Sequence, residues 1–168
     1  MKKKHVLFGV FGLILLLFSD QITKYLATQY LKDSEGIPLL KDIFELQYLE
    51  NHGAAFGIMQ GQRFLLLLIT ALILLVLAYL FIRLQSDKRF LWLEILDVFL
   101  CAGAIGNMMD RFLHGYVIDF FYFKLINFPI FNVADVYVTV SVAIVFLLVC
   151  FYYKEEDFSL LFKRKEKD

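Results

Sequence analysis

Four stretches of the chain stay apolar for about the length that a bilayer demands. A hydrocarbon core of about 30 Å takes roughly 20 helical residues at a rise of about 1.5 Å each. From Val6 the chain is uncharged to Ser19 and can continue helically through Tyr25; Phe64 to Ile82 carries no charge at all. Phe90 to Met109 is interrupted by Glu94 and Asp97, and Phe131 to Tyr153 is apolar apart from Asn132, Asp135 and a few hydroxyls. The pattern predicts spans at about 6–25, 64–82, 90–109 and 131–153, joined on one side by connections 26–63 and 110–130. Between Ile43 and Leu49 the period changes to an apolar–polar alternation, which predicts one or two short strands, and residues 116–123 offer another. Gly53-Ala54-Ala55-Phe56-Gly57 follows the first of these and permits close backbone approach. The expected architecture is an all-α membrane protein of four transmembrane helices, capped by a small extracytoplasmic sheet, in a single domain over residues 1–168.

Composition agrees with that reading. Hydrophobic residues make up 60% of the chain and charged residues 20%, against about 45–50% and about 25% for a soluble domain. Disorder is excluded by the hydrophobicity. The 17 basic and 17 acidic residues cancel, which leaves no global charge to attract nucleic acid. Cys101 and Cys150 are too few for a disulfide framework; both fall inside spans, where they are expected to pack as small apolar residues.

The distribution of charge sets an orientation. Residues 1–5, 83–89 and 154–168 hold 11 of the 17 lysines and arginines in 27 residues; the other six are spread over 24–63 and 110–130. The positive-inside rule therefore puts both termini and the 83–89 loop in the cytoplasm and the two longer connections outside. Lys2-Lys3-Lys4 before an apolar run is also how a secretory signal peptide opens. Here the run ends Phe18-Ser19-Asp20-Gln21-Ile22-Thr23-Lys24, without a small-residue cleavage pattern, and reads as a retained anchor. Trp92 and the Tyr/Phe cluster 116–123 suit the two interfaces. The tail, with its apolar stretch 158–162, is expected on the inner leaflet, drawn there by Lys163, Arg164, Lys165 and Lys167.

Ionisable groups at membrane depth cost a few kcal/mol or more, so each asks for a reason. Asp20 and Lys24 share a helical face at i,i+4; Asn107, Asp110 and Arg111 share another, just after Gly103 and Gly106, whose small size lets a neighbouring helix come close. Asp119 is a lone carboxylate in an aromatic stretch, and Asp135 lies about four residues into the fourth span, roughly 6 Å below its start. Each alone has a plain explanation: an interfacial ion pair, helix-end solvation, an exposed turn acid, an N-terminal cap. Together they fall on one side of the membrane, so Asp20, Asp110, Asp119 and Asp135 could converge in one shallow layer. Glu94 and Asp97 lie towards the other face, where snorkelling or bundle packing accounts for them.

Two carboxylates held close together keep one proton between them. Such a pair supplies a base for water and an acid for a carbonyl oxygen or leaving amine, and hydrolyses peptides without a covalent intermediate. Other schemes fit less well. Ser19 and Lys24 would sit about 140° apart on a helix, and His5, His52 and His114 show no metal-ligand spacing. A transporter or channel using Asp20, Asp110 and Asp135 would spread acids through the membrane depth, and a mere anchoring scaffold would not need these polar motifs on one surface.

The motifs Asp20-Gln21-Ile22-Thr23-Lys24, Asn51-His52-Gly53-Ala54-Ala55-Phe56-Gly57, Gly103-Ala104-Ile105-Gly106-Asn107-Met108-Met109-Asp110-Arg111, Val117-Ile118-Asp119-Phe120 and Phe131-Asn132-Val133-Ala134-Asp135 occur in this order. The chain resembles the bacterial lipoprotein signal peptidases (signal peptidase II), from Asp20 to the fourth span. Any one motif is a weak signal; five in order are specific. The resemblance implies an aspartic endopeptidase of the cytoplasmic membrane with no cofactor or metal, acting on diacylglyceryl-modified prolipoproteins and cutting on the amino side of the lipidated cysteine. It implies membrane lipids as further partners, an outer β-cradle with a short outer helix, and an active site at the outer surface; a four-span bundle with its own site can work as a monomer. The catalytic aspartates carry over to Asp119 and Asp135, and the substrate-binding or supporting residues to Asp20, Lys24, Asn51, Gly53, Asn107, Asp110, Arg111 and Asn132. His52 receives no role.

Overall fold

The computed structural model describes residues 2–54, 58–85 and 87–162. Its helices are α1 (Lys2–Leu31), α2 (Arg63–Leu84), α3 (Leu91–Leu113), α4 (Val133–Phe151) and α5 (Glu155–Phe162); its strands are β1 (Ile37–Leu40), β2 (Phe44–Asn51) and β3 (Val117–Phe123). Among the described residues, four helical segments are long and apolar enough to cross a membrane: His5–Leu31, Arg63–Leu84, Lys88–Leu113 and Val133–Phe151.

Two helices outrun the hydrophobic pattern. α1 continues past Tyr25 to Leu31 because Ala27 and Leu31 are buried against the sheet. α3 continues through Asp110 and Arg111, and Gly115, with φ +90°, stands just beyond its end. α4 begins two residues later than its apolar run, at Val133, with Asn132 as its N-cap. Asp135 is therefore the third residue of the helix, at its rim, rather than a full turn below it.

α3 is the central helix and packs against α1, α2 and α4. Its small residues make that possible. A Cβ on Gly103 would stand 2.6 Å from the Ala134 carbonyl oxygen of α4, and one on Gly106 would overlap the Asp20 carboxylate of α1.

The sheet is antiparallel, in the order β1-β2-β3. Val117 and Phe120 of β3 are buried, and Ile118 and Phe120 pack with Ala27 and Leu31 of α1 and with Leu46 and Tyr48 of β2. Ile118 and Phe120 of the stretch 116–123 thus form a seam between the sheet and α1, while Phe123 stays exposed. The helical element in the described connections on this side is a three-residue 3-10 turn, Lys124–Ile126.

At the opposite end of the bundle, α5 folds back. Leu161 joins Leu84, Phe90, Leu93 and Tyr153, with Phe158 packed against them. The tail's apolar stretch is therefore engaged by the bundle itself; Lys163, Arg164, Lys165 and Lys167 lie outside the described residues, as do Ala55, Phe56 and Gly57. Glu94 and Asp97 are buried near this end, Glu94 facing His5 Nδ1 at 3.1 Å and Asp97 accepting from Cys101 Sγ at 3.9 Å, so packing rather than snorkelling holds them. Cys101 is half-buried but Cys150 is exposed on the lipid-facing side of α4, and so does not pack as expected.

Candidate active site

At the sheet end of the bundle, five elements deliver polar side chains to one place. α1 brings Asp20 and Lys24, α3 brings Asn107, Asp110 and Arg111, β2 and the turn after it bring Asn51 and Gly53, β3 brings Asp119, and the start of α4 brings Asn132 and Asp135. The strand pairing sets the first contact: Leu49 lies opposite Asp119 and Asn51 opposite Val117, so Asn51 is a diagonal neighbour of Asp119. Asn51 Nδ2 donates to Asp119 Oδ2 at 2.9 Å. Asn132 Nδ2 donates to Asp119 Oδ1 at 2.6 Å, so both oxygens of this carboxylate are held.

Asn132 also holds Asp135. Its backbone N–H donates to Asp135 Oδ2 at 3.1 Å while its Oδ1 accepts from the Asp135 amide at 3.0 Å, a reciprocal capping box. The other oxygen, Asp135 Oδ1, accepts from Asn107 Nδ2 at 2.8 Å. The capping role and a site role thus coexist in one carboxylate: one oxygen serves the helix start, the other the polar network.

Asn107 links this pair to the charges beneath. Its Oδ1 accepts from Lys24 Nζ at 2.9 Å and from Asn132 Nδ2 at 3.1 Å. Lys24 Nζ lies 2.9 Å from Asp20 Oδ2 and 2.9 Å from Asp110 Oδ2. On the other side, Arg111 donates from a terminal guanidinium nitrogen to the Gly53 carbonyl at 2.8 Å, and the Gly53 amide donates to Asn51 Oδ1 at 3.0 Å. All ten residues expected at the site therefore lie in one connected hydrogen-bond network.

Burial divides them. Asp20, Lys24, Asp110, Asp119 and Asn132 are at most 1% exposed, whereas Asp135, Asn107, Asn51 and Arg111 are half-buried. The accessible edge of the network is thus at Asp135 and its amide neighbours. Asp20 and Asp110, which cation conduction would need free, are both engaged by Lys24. Burial pushes the Asp119 carboxyl up to about 7, and the neighbouring Asp135 charge pushes the same way; the amides of Asn51 and Asn132 oppose the shift without cancelling it. A buried acid that holds its proton to neutral pH beside a second, more accessible carboxylate has the chemistry of an acid–base pair.

Residues 12–151 match the family profile described as Signal peptidase (SPase) II. The chain belongs to the signal peptidase II family. Relatives named lipoprotein signal peptidase include that of Brevibacillus brevis, 44% identical over 128 residues, covering 76% of this chain and 85% of that one. That of Clostridium tetani is 40% identical over 158 residues, covering 92% and 95%. A solved bacterial membrane enzyme, obtained by the in meso method at 2.3 Å resolution, superposes with a TM-score of 0.77 at 31% identity, covering 95% of this chain and 94% of that one. The family drawn from the five ordered motifs is thereby confirmed. So is a multi-pass bacterial membrane enzyme, a hydrolase of the aspartic peptidase type that acts on prolipoproteins.

The network also includes groups that no charge pattern exposed. Gln21 Nε2 donates to Asp20 Oδ2 at 3.1 Å, to Asp110 Oδ1 at 3.0 Å and to the Gly106 carbonyl at 3.4 Å. The backbone amides of Ile118 and Ala134 donate to Asp110 Oδ2 and Asp20 Oδ1 at 3.3 and 3.0 Å. Gln21 carries no charge to mark it, and the backbone donors carried no sequence signal.

Proposed function

We propose that Asp119 and Asp135 are the acid pair with which this signal peptidase II removes signal peptides from diacylglyceryl-modified prolipoproteins, on the amino side of the lipidated cysteine. The observation that carries the assignment is Asn132, one residue hydrogen-bonded to both carboxylates. Asp119, buried and proton-retaining, is the acid at neutral pH; Asp135, half-buried at the rim of α4, is the base. Water held between them gives a proton to Asp135 as its oxygen attacks the scissile carbonyl carbon. Asp119 delivers its proton to the carbonyl oxygen, forming a tetrahedral diol. On collapse the C–N bond breaks, the leaving nitrogen takes a proton from Asp135, and a diol hydroxyl returns one to Asp119. Water is consumed, and the pair ends with the one shared proton it began with.

The site works at the outer face of the membrane, with both termini cytoplasmic; the concentration of lysine and arginine in 1–5, 83–89 and 154–168 supports that orientation. The acyl chains of the modified cysteine remain in lipid and the signal peptide crosses it, so partitioning holds the scissile bond at the depth of Asp135. One chain supplies the whole network, which suits a monomer. Asp119→Asn or Asp135→Asn is expected to abolish cleavage of a lipidated prolipoprotein while the protein still inserts and folds; full turnover by either purified variant overturns the pair. An unmodified cysteine substrate should be cut far more slowly, and equal rates would show that lipid does not position the bond.

A further inference from the structure

Beneath the acid pair lie three ionisable groups that are too deeply buried to touch a substrate. Lys24 is 1% exposed, and Asp20 and Asp110 are no more exposed than that. Replacing a buried ion cluster by apolar residues is often neutral or stabilising, so stability alone is a weak reason for such a cluster. Its contacts give a better one. Asp110 accepts the amide of Ile118, and Asp20 accepts the amide of Ala134. Each of those residues immediately precedes a member of the acid pair. Neither amide is provided for by regular structure: Ala134 is in the first turn of α4, where N–H groups have no intrahelical acceptor, and Ile118 lies on an edge strand.

We infer that Asp20, Lys24 and Asp110, closed by Gln21, form a positioning clamp that sets the separation of the Asp119 and Asp135 carboxylates through these two backbone amides. The inference rests on the assignment of that pair. Lys24 fixes the two acids relative to each other, 2.9 Å from each. Gln21 bridges the same two acids from the other side. Lys24 further orients Asn107, whose amide holds Asp135. Gly106 admits the clamp, since any side chain there would occupy the place of the Asp20 carboxylate. Gln21, Lys24, Asp20 and Asp110 are positioning residues, and Gln21 is the one that no charge marks.

The test is steady-state kinetics of the full-length enzyme in lipid nanodiscs on a diacylglyceryl-modified prolipoprotein. A reacting geometry disturbed by about 1 Å costs on the order of 100-fold in rate. Lys24→Met, which leaves two buried carboxylates unpaired, is expected to lower kcat by about that factor with KM within about threefold. Lys24→Met/Asp110→Asn removes the surplus charge but keeps an oxygen for the Ile118 amide, and should recover at least about tenfold of the loss. Where Lys24→Met does not yield folded protein, Gln21→Leu carries the same test, with kcat lower by about fivefold to tenfold and KM unmoved. A rise in KM at unchanged kcat, a double variant no better than the folded single one, or wild-type kcat in Gln21→Leu overturns the clamp. Asp119→Asn run alongside separates the two ideas: if it retains turnover, the acid pair has failed and not only its positioning.

Discussion

Both ends of the helix bundle are capped, and α3 contributes to both caps. At one end Leu84, Phe90, Leu93, Tyr153 and Leu161 close it as an apolar cluster, with the Phe90 and Tyr153 rings stacked at 5.6 Å and α5 turned back to complete the cover. At the other, Asp20, Lys24, Asp110, Asp119 and Asn132 are buried in a hydrogen-bonded network. The apolar cap needs only shape and volume, and its members could be exchanged with modest loss if the volume were kept. The polar cap gains little stability from its charges, because their desolvation offsets their attraction. What it secures instead is a fixed geometry for two carboxylates drawn from different elements. The fold separates the two tasks, stability at the α5 end and chemistry at the sheet end.

That contrast is sharpest in its largest expected effect. Asp119→Asn and Asp135→Asn should each reduce turnover by at least about 1,000-fold, measured on purified protein whose melting temperature is at or above that of the wild type; retained turnover would mean that the polar cap is not the reactive end. Next comes Asn132→Ala, which removes the side chain shared by both carboxylates and the cap of α4. It should lower kcat by about 100-fold while costing about 1 kcal/mol of stability, and a loss confined to stability would deny Asn132 its bridging role.

The dependence on pH is smaller and has a definite sign. The Asp119 carboxyl titrates near 7, above the ordinary carboxylate range, because it is buried and faces Asp135. Below that point it holds the proton that the reaction requires, and raising the pH removes it. Turnover should therefore fall with rising pH, by about tenfold per unit above about 7. A rate that stays flat to pH 9 would break the link between burial of Asp119 and its role as the acid. The smallest effect on activity belongs to the apolar cap. Phe90→Ala should cost about 3 kcal/mol or more of stability, yet leave kcat within about twofold at a temperature where the variant stays folded. A loss of turnover comparable to that of Asn132→Ala would show that the ends are not separable.

Much of this was legible in the chain because hydrocarbon penalises both charge and unpaired backbone. The four spans, and Asp20, Lys24, Asn107, Asp110 and Asp135 near their ends, could be read from what a membrane does not tolerate. Strand β2 showed through alternation, and β3 as a second short stretch at 116–123. β1 did not, since Ile37-Pro38-Leu39-Leu40 has no alternation and the chain reveals nothing of its pairing to Glu45 and Leu46. α5 was hidden because eight residues opening on three acids give little helical periodicity, and its partners are more than 60 residues away at Leu84 and Phe90 or just before it at Tyr153. The aromatic content of 116–123 did not reveal that Ile118 and Phe120 pack on Ala27 and Leu31 and join the sheet to α1. Gln21 escaped because a neutral amide announces no cost, and the acceptors for the Ile118 and Ala134 amides could not be known before the fold was.

The central claim is that Asp119 and Asp135 act together on one water. The most direct measurement is an experimental structure of the enzyme with a lipidated peptide whose scissile bond is replaced by a hydroxyl-bearing tetrahedral isostere. The account predicts the hydroxyl oxygen within about 3 Å of a carboxylate oxygen from both residues. A hydroxyl bound by one of them alone, with the other turned away into its amide partners, would contradict it.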